Sequence, residues 1–453
     1  MGKVERARAG RGRRGGGRRG RRSRTSRAGP LRASVALVLL AGGLTACGGE
    51  SGTPTLTWYT NPDNGGQAKL AAACTQAANG KYRIKTSVLP NDATQQREQL
   101  VRRLAAKDSG LDLMSLDPVF IAEAANAGFL RPFSSAEETQ FTQGVFPASV
   151  ENARWEGKLY AAPFWANTQL LWYRKSAAQK AGVDPTAADF TWDKLIDAAL
   201  RSNTTVAVTG NKYEGYMVWI SALMASAGGR IITNPERGSD ATVEFESPAG
   251  RATAAIISKL ARSRAASPTL STEIEDQARN TFNGARGGFM INWPYIYAAD
   301  LADAEAGVID KSIPADIGWA RYPQVTAGQQ SKPPLGGISL GIGAYGKHEN
   351  EAVEAARCIT SEPNMKAYML AEGNPAARPA VFDDPEIVKQ FPMATLIRDS
   401  INAAAPRPIT PYYPDVSSGV QSKWHPPASV NPNSTPKETD DFIPKVLRDQ
   451  RLL

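Results

Sequence analysis

From Thr55 onward, the apolar positions switch repeatedly between two spacings. Residues 55–59 (T-L-T-W-Y) predict a strand, and residues 67–78 predict a helix after the polar loop 60–66. Residues 82–89 alternate as a second strand. Residues 95–106 repeat at helical spacing, and residues 111–116 (L-D-L-M-S-L) predict a third strand ending at Asp117-Pro118. Strand, helix, strand, helix, strand predicts a parallel α/β sheet. Ligands of such sheets sit beyond the carboxyl ends of strands. Asn61, Asp63 and Asp117 lie at such ends.

Further along, residues 158–163 and 168–173 read as extended, and 192–201 and 216–227 as helical, the latter stopped by Gly228-Gly229. Residues 248–262 and 273–283 predict helices. Residues 287–292 predict a buried strand running into Trp293-Pro294-Tyr295. The stretch 323–334 is rich in Pro, Gly, Gln and Ser and reads as a crossing linker. A strand at 337–344 and a helix at 351–359 follow. A Pro-marked tail covers 406–436. A final amphipathic helix is expected at 437–447, broken or kinked at Pro444.

The first 46 residues change the picture of charge. They hold 13 of the chain's 53 Lys+Arg and one of its 44 acids, so the formal +9 becomes −3 from Cys47 onward. The basic balance belongs to this leader, and nucleic-acid binding loses its support. Residues 33–46 form a 14-residue apolar run, too short to span roughly 30 Å of hydrocarbon. A basic stretch, a short apolar stretch and small residues before a cut form an export signal. The ending Leu44-Thr45-Ala46-Cys47 resembles a bacterial lipobox. That implies Cys47 as the lipid-attachment residue, a tether at 47–54, and a protein held on the outer face of the membrane.

The remaining 407 residues exceed what one core holds, so two lobes are expected. Cys74 and Cys358 are the other cysteines. Outside the membrane they suggest one disulfide closing a very long loop, with two buried free thiols as the alternative. Two histidines and no spaced Cys/His cluster argue against a metal site. No cofactor is expected, and no Walker A pattern occurs.

Several residues carry candidate chemistry. Gly337-Ile338-Ser339-Leu340-Gly341 matches G-x-S-x-G, but the stretch stays extended past the serine, where a nucleophile elbow needs a sharp turn into a helix. A glycine-rich strand approached closely by backbone or ligand is the better reading. Trp293, beside a proline at a strand end, offers a flat apolar wall for a sugar ring. Glu273 and Glu275 stand near a helix start, where the dipole favours carboxylates. Carboxylates also accept sugar hydroxyl protons, in hydrogen bonds worth roughly 1.5–3 kcal/mol each. Arg407 is held between Pro406 and Pro408, as a pre-aimed donor fork would be.

Several stretches together carry a resemblance: the lipobox, L-D-L-M-S-L-D (111–117), L-Y-A-A-P-F-W-A-N-T-Q-L-L-W-Y-R (159–174), I-N-W-P-Y (291–295), L-G-G-I-S-L-G-I (335–342) and A-P-R-P-I-T-P-Y-Y (405–413). The chain resembles the extracellular solute-binding proteins of carbohydrate ABC importers, within them the actinobacterial trehalose-binding lipoproteins of the LpqY type. The resemblance implies a two-lobed α/β fold of the type II periplasmic-binding kind, with a hinge and an inter-lobe cleft. Lobe 1 is expected at 55–162 and 338–390, lobe 2 at 168–332 and 395–453. Both cysteines then fall in one lobe.

The resemblance further implies Asp117, Asn167 and Glu275 as hydroxyl-binding residues, Trp293 as a stacking wall and Arg407 as a donor. Gln96, Gly337 and Tyr295 are implied as further contacts; Asn61 and Asp63 are candidate contacts from their place at a strand end, in a loop that departs from the mycobacterial pattern in sequence and length. The expected ligand is a neutral disaccharide, trehalose first, with maltose or another α-glucoside as alternative. The expected partner is a membrane permease pair with a separate ATPase, met by a monomeric, non-catalytic receptor. The rival readings are a cell-wall glycosidase using Asp117 and Glu275, and a receptor for a peptide or polyamine.

Overall fold

The computed structural model describes residues 52–453, so the export signal and Cys47 lie outside the described residues. The first sheet holds β1 (Thr55–Thr60), β2 (Arg83–Val88), β3 (Leu113–Leu116), β4 (Ala161–Asn167) and β9 (Gly336–Ile342). Its order is β2-β1-β3-β9-β4. A second sheet is built from β5 (Leu170–Arg174), β6 (Thr205–Ala207), β7 (Gly287–Asn292) and β8 (Ile317–Ala320), in the order β8-β5-β7-β6.

β1 runs parallel to β2 and β3, with α1 (Gly66–Ala77) and α2 (Ala93–Ala105) as crossovers. The three strands expected to be parallel are so, while β9, for which no direction was read from the sequence, is antiparallel to both β3 and β4. β9 enters straight from the second sheet through residues 321–335, with no crossover helix on its own sheet to turn it parallel.

Side-chain alternation divides the second sheet between two cores. Leu170 and Trp172 of β5 and Met290 of β7 join the core that fills the first sheet. Leu171, Phe289 and Ile291 face the other way, into a core with Trp192, Trp219 and Trp424. With both faces covered, these strands are apolar over most of their length, with the buried polar residues Arg174, Thr205 and Asn292 at strand ends. The step from β4 to β5 takes two residues, Thr168 and Gln169, both fully buried. Residues 395–403 belong to α8 (Ala394–Ala403), whose Ile397 and Ile401 pack in the first core. The chain then passes to the second core along 404–412. There, Ala405 is paired with Pro333 and Leu335 by backbone bonds of 2.9 and 2.8 Å.

Two local expectations are corrected. The Pro-marked tail contains α9 (Tyr413–Trp424), because Pro414 sits in the first turn, where its missing N–H costs nothing. The last helix, α10 (Thr435–Leu447), runs on through Pro444, which falls in its final turn. Cys74 of α1 and Cys358 of α6 (Glu349–Ile359) are bonded, with Cα atoms 5.8 Å apart, which decides between the two cysteine readings. Between α6 and α8 lies α7 (Glu362–Glu372). No helix among the described residues is long and apolar enough to cross a membrane.

Candidate functional site

Arg407 is the centre of the site. Its backbone is held by the pairing at Ala405 and by flanking prolines. Its Nη1 donates to Glu214 Oε1 at 2.6 Å and its Nη2 to Asp117 Oδ1 at 2.7 Å. Asp117 stands just past β3 and caps the turn Pro118–Phe120. Glu214 opens α3 (Glu214–Ser226), a helix of the second core. Arg407 therefore links the end of a first-sheet strand to a helix of the other core.

Glu214 is almost fully buried and heavily bonded. Tyr413 Oη donates to its Oε1, and Ser417 Oγ to its Oε2 at 2.7 Å. Gln421 in turn donates to Ser417 Oγ at 2.9 Å. Tyr413, Ser417 and Gln421 are four residues apart on α9 and so share one helix face. Burial pushes the Glu214 carboxyl up, while Arg407, Tyr413 and Ser417 pull the other way. Burial also works against the Arg407 charge, yet Asp117, Tyr413 and Glu214 outweigh it and hold the guanidinium protonated.

A second group of residues gathers at the end of β7. Glu275, at the start of α4 (Glu275–Asn283), accepts from Tyr213 Oη at 2.6 Å. Asn292 donates to the Glu275 carbonyl at 3.0 Å and accepts from the Trp293 amide at 2.8 Å. One side chain thus fixes the backbones of both. The carboxyl of Glu275 is pushed up by burial, opposed by Tyr213, its own amide and Trp293. The Trp293 ring lies over the start of β9, where a Cβ on Gly336 would come within 2.9 Å of its Cη2. Gly336 pairs with Asn167 across the β9–β4 ladder, so Trp293 and Asn167 meet at one point. Gly337 has φ of 120°, and a Cβ there would stand 2.1 Å from the Trp165 carbonyl. Only glycine lets the strand close on β4 here.

The other expected residues are more dispersed. Gln96, on α2, donates to the Pro90 carbonyl at 2.7 Å and lines a small cavity with Ser115 and Asp117. The carbonyl of Asn61 accepts from Gln67, whose Oε1 accepts from Ser115. Asp63 spends both oxygens on the Gly65 and Gln67 amides at the start of α1, at 2.9 and 2.6 Å. Tyr295, the first residue of α5 (Tyr295–Glu305), donates to Asp276 at 2.8 Å. The two neighbouring glutamates separate: Glu273 is fully buried and accepts from Thr269 and Thr281 at 2.8 and 2.6 Å. That leaves Glu275 as the partly exposed member.

Tyr213, Glu214 and Asn292 were not singled out in the sequence. Asn292 stands beside Trp293, so its position at a strand end was a usable signal. Glu214 had none, since its partners are 193 to 203 residues away. The arrangement offers acceptors, one enclosed cation and an aromatic wall. Ser339 is buried in mid-strand, without the turn an elbow needs. No group of three metal-ligating side chains occurs among the described residues.

The family model described as bacterial extracellular solute-binding protein matches residues 60–366. A protein of Deinococcus radiodurans, named a probable ABC transporter-binding protein, is 27% identical over 348 residues, which cover 72% of this chain and 76% of that protein. Maltose-bound MalE3 of T. maritima matches with a TM-score of 0.75 at 24% identity, covering 88% of this chain and 100% of that one. The GacH receptor of Streptomyces glaucescens, solved without ligand and with acarbose, gives 0.73 at 19% identity, covering 88% and 99%. These two structures establish the two-lobed fold.

Proposed function

The chain belongs to the bacterial extracellular solute-binding proteins, and from that premise we propose that it is the receptor of an ABC importer for a neutral disaccharide, trehalose first. Cys47 carries the lipid that holds it outside the cell. The two lobes close on the sugar by a hinge motion, because only the closed form lets both contact it. The monomer hands its ligand, unaltered, to a permease pair driven by a separate ATPase. Two groupings support this reading: Arg407 bonded to Asp117 at the end of a first-sheet strand, and Trp293 beside Asn167 at Gly336. A wall with fixed donors and acceptors suits a polyol. Such a site rejects analogues missing a hydroxyl, because its own groups are then left unpaired.

A second reading, an α-glucoside such as maltose, is favoured by the likeness to maltose-bound MalE3. Calorimetry of the protein without its leader, against a disaccharide panel, separates the two. Trehalose should bind at about micromolar affinity or tighter. Silence across the whole panel would remove the reading, as would release of free glucose.

Trp293→Ala should weaken binding by about 2–3 kcal/mol, roughly 30- to 150-fold, without moving the unfolding midpoint. Unchanged affinity would take Trp293 out of the site. Acidity gives a second check. Burial raises the Glu275 carboxyl, so it protonates above the ordinary 4.5 and its acceptor role is lost early on acidification. Affinity should be full at neutral pH and fall before pH reaches 4.5. Glu275→Gln should bind more weakly and lose that slope; an identical slope in the variant would count against the role.

A further inference from the structure

A guanidinium facing a ligand cleft ordinarily takes phosphate or carboxylate through paired N–H bonds. Arg407 has both amino groups committed elsewhere, to Glu214 at 2.6 Å and to Asp117 at 2.7 Å. Its Nε is buried without a partner, so it is closed to solvent. The two carboxylates differ in one respect. The Asp117 side chain is 19% exposed, and a ligand can draw it away from Arg407. The Glu214 side chain is 6% exposed and is gripped by Tyr413 and Ser417 as well. Three donors, Arg407, Tyr413 and Ser417, hold it.

We propose that Glu214 sets the charge class of the ligand, acting as a fixed counter-charge that keeps Arg407 from serving as an anion receptor. It is a specificity residue that works through Arg407 and touches no ligand. The proposal rests on the reading that a neutral sugar occupies this cleft. One cation against two carboxylates leaves the cluster net negative, so a phosphorylated or carboxylated sugar meets repulsion. Removing the Glu214 charge leaves Arg407 and Asp117 balanced. A phosphate then displaces Asp117 and faces an uncompensated guanidinium in a poorly solvated place, where a single charge weighs heavily.

The test is calorimetry on wild type and Glu214→Gln with trehalose, maltose and trehalose 6-phosphate, and with inorganic phosphate as a competitor too small to be refused on size. Wild type should bind a neutral sugar, bind the phosphorylated sugar far more weakly, and ignore inorganic phosphate. Glu214→Gln should shift the ratio of phosphorylated to neutral affinity upward on the order of tenfold or more, with phosphate now competing against the sugar. An unchanged ratio in a folded variant would overturn the proposal alone, leaving Glu214 a structural support. Should the variant not fold, wild type still decides: competition by inorganic phosphate overturns the proposal. If wild type binds neither neutral sugar, the reading beneath it falls too, and that result is visible before any variant is made.

Discussion

Arg407→Leu is expected to lower the unfolding free energy by about 3–5 kcal/mol, the cost of leaving a buried charge without its partner. Glu214 keeps Tyr413 and Ser417 as donors, but no cation remains against a carboxylate whose side chain is only 6% exposed. Urea unfolding measures this as a lower midpoint at unchanged slope. Replacing Arg407 and Glu214 together by leucine should return most of the loss, because the stranded charge is gone. The single variant should also bind sugar weakly, while the double variant separates the two effects by being stable and still defective. A single variant within about 1 kcal/mol of wild type would mean that water reaches Glu214 and that the cluster is not a buried one.

Removing the Cys74–Cys358 bond should cost about 2–5 kcal/mol. The bond spans 284 residues of sequence, so in the chain-entropy view it restrains a very large loop of the unfolded state. Cys74 is fully buried on α1, and Asn364 at the start of α7 packs against both sulfurs. Paired Cys74→Ala and Cys358→Ala substitution removes the link and the two sulfurs that Asn364 packs against, so the loss should appear in the unfolding midpoint rather than in sugar affinity. A loss below about 1 kcal/mol would place the stabilisation in the α1–α6 packing instead.

Much of the first lobe could be read locally. The alternation in T-L-T-W-Y and L-D-L-M-S-L located β1 and β3, and the rule for strand ends singled out Asp117, which stands just past β3 and bonds Arg407. Trp293 was legible for the same reason, at the close of β7. The parallel reading held for β1, β2 and β3, but the antiparallel β9 was not legible, because strand direction depends on where the chain comes from, and residues 321–335 arrive from the other sheet. α9 was hidden by the prolines around it and by Pro414 within it, whose cost depends on the turn it occupies.

Residue order and side-chain chemistry alone therefore determined the strand–helix rhythm, the acidic balance behind a basic leader, and the strand ends where polar and aromatic groups wait. Only the tertiary structure decided which of those groups touch. It brought Glu214 to Arg407 and Arg407 to Asp117 over 193 and 290 positions of sequence, bonded one cysteine to the other, and divided Glu273 from Glu275 by burial. The physical reason is that hydrophobic period and turn chemistry act over a few residues, whereas the partner of a buried charge is chosen by whichever segments the packed cores bring together.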